Sequence, residues 1–137
     1  MSQKLFSSFI AAFTLLLMAC NSDAQTDGKQ DITTPVPIQV IQFHATHRCE
    51  TCLKIEKLAR QILSDHFAAI PFKLVNVDDR QNAKMAEEFE ATGTALFLYN
   101  PKTGKKKDLT KFAFMNAWDD KKFEAEFKKD IEDFLKS

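Results

Sequence analysis

Two cysteines three residues apart have the clearest capacity for chemistry in this sequence. Cys49 and Cys52 enclose Glu50 and Thr51. Residues at positions i and i+3 lie on one face of a helix, with Cβ atoms about 5–6 Å apart. A disulfide needs a Cβ separation of about 3.8 Å, so a slight closure of a first helical turn would join the sulfurs. The spacing therefore indicates a dithiol that can open and close.

The cysteine pair follows a predicted strand and opens a predicted helix. Unpaired backbone N–H groups at a helix start stabilise an anion. We therefore expect Cys49 to be the exposed thiolate nucleophile and Cys52 the resolving thiol. His47 and Arg48 are expected to modulate the site by favouring the Cys49 thiolate, whereas Glu50 opposes it.

Metal binding is an alternative function for the same segment. His44, His47, Cys49 and Cys52 form the pattern H-x-x-H-x-C-x-x-C, four possible ligands in nine residues. Zinc accepts two thiolates with two imidazoles, and copper(I) favours thiolates. A structural zinc module usually draws its ligands from two separated pairs, which this local cluster does not provide. A purely structural disulfide that fixes the helix start is the other alternative.

The elements around the pair predict an α/β fold in the order β-α-β-α-β-β-α. Apolar β-branched runs predict the strands, and apolar residues at helical spacing predict the helices. A helix joins the first two strands, which should therefore be parallel, and a turn joins the last two as a hairpin. We expect a central mixed four-stranded sheet with helices on both faces. The predicted strands are 37–44, 69–77, 94–99 and 105–110, and the predicted helices are 52–67, 81–91 and 119–136.

The N-terminal residues have the pattern of a targeting segment. A basic start and an apolar run end in Leu-Met-Ala-Cys at Cys20, which resembles the bacterial lipoprotein cleavage box. We expect 1–19 to be a lipoprotein signal peptide and 20–36 to be the lipidated Cys20 with a flexible tether. Residues 37–137 form the domain, anchored by lipid in the bacterial cell envelope outside the cytoplasm. The alternative is a plain signal peptide with an incidental cysteine.

Composition narrows the classes of function. The chain has 137 residues, enough for one domain, and 45% hydrophobic residues, which suits a packed core. Its formal net charge of zero gives no electrostatic reason to bind nucleic acid. Lipidation of one of the three cysteines leaves the other two as a pair. We find no flavin or nicotinamide signature and expect no cofactor.

A Cys-x-x-Cys pair at a strand-to-helix junction, within this order of elements, resembles the thioredoxin superfamily. More narrowly, the motifs at 43–52, 55–56, 100–104 and 108–110 are similar to the small lipoprotein family labelled nitrophenyl compound nitroreductase subunit ArsF. The resemblance covers residues 38–135. It implies a thioredoxin-like fold and thiol–disulfide chemistry, as an oxidoreductase or as a redox subunit.

The sequence departs from ordinary thioredoxins at three positions. Arg48 stands where an aromatic residue is usual, Phe43 stands where a buried acid is expected, and Gly93 replaces the cis-proline of the loop facing the disulfide. The loop at Gly93 and Thr94 remains the expected partner-facing wall, although glycine makes its backbone less rigid. These departures favour a dedicated protein redox partner over a general disulfide reductase. The direction of electron flow stays open.

An aromatic segment near the C-terminus belongs to none of these motifs. Residues 112–115 are Phe-Ala-Phe-Met, and Trp118 follows them. Such residues can form a partner surface. We favour the alternative, in which they pack against the sheet beneath the last helix.

Overall fold

A four-stranded sheet forms the centre of the computed structural model, which describes residues 37–137. Its strands are β1 (Gln39–His44), β2 (Phe72–Asn76), β3 (Ala95–Asn100) and β4 (Lys105–Asp108), in the spatial order β2-β1-β3-β4. β1 pairs in parallel with β2 and antiparallel with β3, and β3 pairs antiparallel with β4. The sheet is therefore mixed, and the predicted parallel pair and hairpin are both confirmed.

Four α-helices accompany the sheet. They are α1 (Glu50–His66), α2 (Ala83–Glu88), α3 (Thr110–Asn116) and α4 (Asp120–Leu135). A single 3₁₀ turn, Arg80–Asn82, precedes α2. No helix among the described residues is long and apolar enough to cross a membrane. The chain segments between β1 and β2 and between β2 and β3 are thus helical, as predicted.

Buried side chains form two clusters because neighbouring residues of a strand point to opposite faces. On β1, Val40 belongs to the first cluster and Ile41 to the second. The first cluster joins β1 and β3 to the apolar stripes of α1 and α4, and it includes Phe123, Phe127 and Ile131. The second cluster contains Ile41, Phe43, Val75, Phe89, Ala91 and Phe97. Burial on both sides explains why β1 presents apolar side chains to both faces of the sheet.

The structure differs from the sequence-based expectation at three helices. Helix α1 begins at Glu50 rather than at 52, because Cys49 caps it. The predicted helix 81–91 is a 3₁₀ turn followed by the six-residue α2. Helix α3 was not predicted. So short a helix is stabilised mainly by tertiary contacts, which local sequence does not reveal; here Ala113 is fully buried, and Thr110 Oγ1 accepts a hydrogen bond from the Leu96 N–H over 3.1 Å.

The three lysines of β4 each contact a different part of the chain. Lys105 Nζ lies 5.6 Å from the centre of the Phe134 ring. Lys106 Nζ donates to the carbonyl oxygen of Glu88 over 2.6 Å. Lys107 Nζ donates to Asp130 Oδ1 over 2.8 Å. The lysines therefore fasten this edge strand to the segments beside it.

Several predictions concern residues that lie outside the described part of the chain. These are the signal peptide at 1–19, the lipidation of Cys20 and the tether at 20–36. They stay predictions, as does the domain boundary at residue 37.

Candidate functional site

The structure joins Cys49 and Cys52 in a disulfide at the start of α1, with their Cα atoms 5.1 Å apart. Cys49 is the N-cap residue of the helix, and its Sγ accepts a hydrogen bond from the Cys52 N–H over 3.2 Å. Cys49 is exposed, whereas Cys52 is only 4% exposed. The pair thus presents one sulfur to solvent and holds the other inside.

The loop before β3 contacts the inner sulfur. Thr94 Oγ1 donates a hydrogen bond to Cys52 Sγ over 3.1 Å. The preceding residue, Gly93, has space around it, since a Cβ there would meet no atom within 4 Å. Of the two loop residues that the sequence indicated, Thr94 therefore contacts the disulfide directly. The space around Gly93 would accommodate a larger side chain.

A buried glutamine supports the first turn of α1, and sequence reasoning missed it. Gln42 is fully buried on β1, and its Nε2 donates to the carbonyl oxygen of Cys52 over 2.9 Å. Its Oε1 is buried without a hydrogen-bond partner among the described residues. Ordinary thioredoxins have a buried acid on this strand, at the position of Phe43. Phe43 instead packs against Phe89 and Phe97 in the second cluster. The available signal was Gln42 itself, a polar residue between the apolar Ile41 and Phe43.

Arg48, expected to modulate Cys49, is paired with an acid of α1. Its Nη2 lies 2.6 Å from Glu56 Oε2, and Arg60 Nε donates to Glu56 Oε1 over 2.8 Å. Burial raises the pKa of Glu56, but the hydrogen bond from Arg60, the close contact with Arg48 and the two positive charges outweigh that effect and leave the pKa below its ordinary value. The Arg48 charge is therefore partly balanced by Glu56.

The Arg48–Glu56 contact is a close ion pair. Nε and Nη2 of Arg48 are buried without hydrogen-bond partners among the described residues. Unpaired guanidinium N–H groups are costly when buried. The pair thus fixes the position of Arg48 without satisfying all of its donors.

The two histidines lie in the loop between β1 and α1. His44 Nδ1 is 2.8 Å from the carbonyl oxygen of Ala45, and His47 is exposed. The Thr46 N–H donates to Asp78 Oδ2 over 2.7 Å. This bond is the main cause of a lowered pKa of Asp78, with smaller contributions from the fields of His47 and His44. The histidines therefore act on Asp78 as well as lying near the cysteine pair.

The proposed metal ligands do not form a cluster in this structure. Both thiols are joined in the disulfide. Within residues 37–137, no three or more His, Cys, Asp or Glu side chains converge as a possible metal site. The set of His44, His47, Cys49 and Cys52 is thus adjacent in sequence without being gathered in space.

A half-open cavity of about 550 Å³ extends away from Thr94. Phe89, Ala91 and Phe97 line its apolar part, and Lys106 and Asp108 of β4 lie on its border. Ligand pockets in proteins commonly have volumes of about 300–1,000 Å³. A partner segment thus has room beside the loop that contacts Cys52.

The arrangement establishes a Cys-x-x-Cys disulfide at a helix start, which is compatible with thiol–disulfide exchange or with a structural cross-link. An exposed sulfur at a helix N-terminus and a buried second sulfur are the parts that exchange chemistry needs. No protein-family model matches this chain, and no curated protein matches it.

Proposed function

We propose that this chain is a membrane-anchored, thioredoxin-like thiol–disulfide redox protein that exchanges electrons with a dedicated partner protein. The observation that carries the proposal is the division of the disulfide into an exposed Cys49, which caps α1, and a buried Cys52. A nucleophilic sulfur must be reached by its partner, whereas a resolving sulfur need only reach the first sulfur.

The thioredoxin-like assignment is part of the proposal. It is supported by the parallel β1–β2 pair, the antiparallel β3–β4 hairpin and the position of the cysteines between β1 and α1. Val40 and Ile41 belong to different clusters, which favours helices on both faces of the sheet. Helix α3 is an addition to the expected order. The similarity to the ArsF lipoprotein family belongs to the same proposal.

The proposed reaction transfers two electrons through a mixed disulfide. In the reducing direction, the Cys49 thiolate attacks a partner disulfide, one partner sulfur leaves as a thiolate, and a Cys49–partner bond forms. Cys52 then gives its proton to solvent and attacks Cys49 Sγ. The Cys49–Cys52 bond forms and the second partner thiolate leaves. The chain is oxidised and the partner disulfide becomes a dithiol; the reverse sequence oxidises a partner.

Two neighbours are assigned positioning roles in this reaction. Thr94 holds Cys52 Sγ, and Gln42 holds the Cys52 backbone, so the inner sulfur stays close to Cys49. The cavity beside Thr94 is proposed to receive the partner segment that carries the reacting cysteine. Arg48 and His47 keep their proposed influence on the Cys49 thiolate, although Glu56 balances part of the Arg48 charge.

The membrane anchor is proposed from the sequence of the N-terminal residues. Lipid on Cys20, after removal of 1–19, would hold the domain at a membrane of the bacterial cell envelope. Cys20→Ala should release the protein from the membrane fraction. Continued membrane fractionation of that variant would contradict the anchor and leave the redox proposal untouched.

A redox-buffer titration of metal-free residues 21–137 tests the function. A reversible midpoint of roughly −120 to −270 mV would support a redox protein and indicate the direction of electron flow. A midpoint below about −300 mV would favour the structural disulfide. Failure of the pair to oxidise cleanly would favour metal binding by His44, His47, Cys49 and Cys52.

A further inference from the structure

An apolar stripe lies at the end of α3 and in the turn after it. Phe114 and Met115 of α3 are 40% and 72% exposed, and Trp118, in the turn between α3 and α4, is 67% exposed. They are three of the five exposed large hydrophobic side chains in residues 37–137. The expectation that this segment packs beneath the last helix is wrong for these three, because Ala113 and Asn116 take the inward positions.

The stripe precedes a helix that packs along α1. Lys54 Nζ is 2.7 Å from Asp120 Oδ1, and Glu124, one turn further along α4, lies 2.9 Å from the ring nitrogen of His66 at the end of α1. Asp120 follows Trp118 by two residues. The ion pairs therefore fix the start of α4, and with it the end of the stripe, against α1.

The charges around the stripe favour an anionic surface. Asp119 caps α4 by accepting a hydrogen bond from the Lys122 N–H over 3.0 Å, and Asp120 pairs with Lys54. Asp119 keeps its negative charge as the helix cap, whereas the charge of Asp120 is paired with Lys54. The side chains of Lys111, Lys121 and Lys122 are exposed. Apolar and aromatic residues bordered by lysines are typical of surfaces that lie in the interface of a bilayer.

We propose that the stripe of Phe114, Met115 and Trp118 docks into the surface of an anionic lipid bilayer, with the neighbouring lysines on the headgroups. The inference rests on the proposed membrane anchor. The 16 residues 21–36 separate the proposed lipid on Cys20 from the domain, and a random-coil chain of that length spans roughly 22 Å, so the lipid would keep the domain close to its membrane.

The fluorescence of Trp118 tests the docking directly, since it is the only tryptophan in the chain. The mature full chain is reconstituted into vesicles of phosphatidylcholine and phosphatidylglycerol, with and without lipids brominated in the upper acyl chain. We expect Trp118 to emit at a shorter wavelength with vesicles than in buffer without vesicles. Brominated lipid should quench this emission, and acrylamide should quench it little. Water-like emission that acrylamide quenches and brominated lipid does not would overturn the proposal.

Charge-reversal variants separate docking from anchoring. Lys111→Glu, at the start of the stripe, should reduce quenching by brominated lipid, whereas the matched control Lys102→Glu, in the turn between β3 and β4, should not. Equal quenching in the two variants would count against the lysine contacts. A chain that floats with vesicles but keeps Trp118 in water overturns only the docking. A chain that does not float overturns both docking and anchor, and a docked chain without a reversible thiol midpoint overturns only the redox function.

Discussion

The hydroxyl of Thr94 donates a hydrogen bond to Cys52 Sγ over 3.1 Å, across 42 residues of sequence. The bond joins the loop before β3 to the buried Cys52, which is only 4% exposed. A thiol or thiolate sulfur carries more negative charge than a disulfide sulfur and accepts a hydrogen bond better. Thr94 should therefore stabilise the reduced form more than the oxidised form.

Thr94→Val removes this donor while keeping the shape of the side chain. The reduced form should lose about 0.5–1.5 kcal/mol, which makes the midpoint more negative by about 10–30 mV. Equilibration with glutathione or dithiothreitol buffers measures the shift. Thr94→Ser, which retains a hydroxyl, is the control and should stay near the wild-type midpoint. An unchanged midpoint in Thr94→Val would show that the bond does not distinguish the two redox states.

The difference in exposure between the cysteines predicts different mixed-disulfide behaviour. Cys52→Ser should trap a covalent adduct with a disulfide reagent or partner, because Cys49 can attack and nothing resolves the product. Cys49→Ser should form little adduct, since Cys52 is buried. Non-reducing gels and mass spectrometry of the two variants measure the adducts. Equal trapping by both variants would refute the assigned roles.

Gln42→Glu should make stability strongly dependent on pH. Burial raises the pKa of a glutamate at this position above its unfolded value of about 4.3, so the folded state binds the proton more tightly. The free energy of unfolding should then fall as pH rises above about 4.3, by up to about 1.4 kcal/mol per unit, until pH passes the folded pKa. Urea denaturation between pH 4 and 8 measures the slope.

The matched variant for this position is Gln42→Met, which keeps the length of the side chain without an ionisable group. It loses the hydrogen bond to the Cys52 carbonyl and also removes the unpartnered Oε1. Its unfolding should follow the wild-type dependence on pH. If the free energy of unfolding had the same dependence on pH in both variants, the new carboxyl group would be exposed to solvent and its pKa would not be raised.

Glu56 should contribute stability at neutral pH that is lost in acid. Its pKa is lowered in the folded state from an ordinary 4.5, so the contribution is complete above that value and disappears as pH falls through the folded pKa. At pH 7, Glu56→Gln should reduce the free energy of unfolding by about 1–3 kcal/mol. The difference from the wild type should shrink below about pH 4. A difference that is constant from pH 7 to pH 3 would contradict the ion-pair explanation.

The Arg48–Glu56 pair predicts opposite effects of two substitutions on the reactive thiol. Arg48→Ala removes a positive charge and should move the Cys49 thiolate titration to higher pH, by less than about 1 unit because Glu56 already balances that charge. Glu56→Gln leaves the Arg48 charge unbalanced and should move the titration to lower pH. Thiolate absorbance measured in a Cys52→Ser background reports both. Shifts of the same sign would remove Arg48 from the site.

The sequence was sufficient to predict the elements whose apolar pattern repeats locally. The spacing of Ile55, Leu58 and Ile62 predicted α1, and the position of the cysteines at its start followed from the apolar run of β1. Features that depend on contacts between distant segments were missed. Gln42 meets Cys52 only after β1 and α1 pack, and α3 is held by Ala113 in the core.

The pairing of Arg48 was missed for a related reason. A helix starting at Glu50 places Glu56 about two turns along, and only the fold of the loop before it returns Arg48 to that position. The order of residues therefore placed the positive charge of Arg48 next to Cys49 and did not reveal that Glu56 balances this charge. The effect of Arg48 on Cys49 stays a prediction, and the pairing with Glu56 reduces the size that we expect for it.

The lysines of β4 have a consequence for encounters between copies of the chain. An edge strand with free N–H and C=O groups is a template on which another strand can pair. Here that edge carries three lysines, and each makes a contact outside the strand. Lys105 lies over the Phe134 ring, Lys106 bonds the Glu88 carbonyl and Lys107 bonds Asp130. An approaching second copy would meet like charge along the edge and would have to displace these contacts before its strand could align. Pairing of a second copy through β4 is thus disfavoured even at high local density.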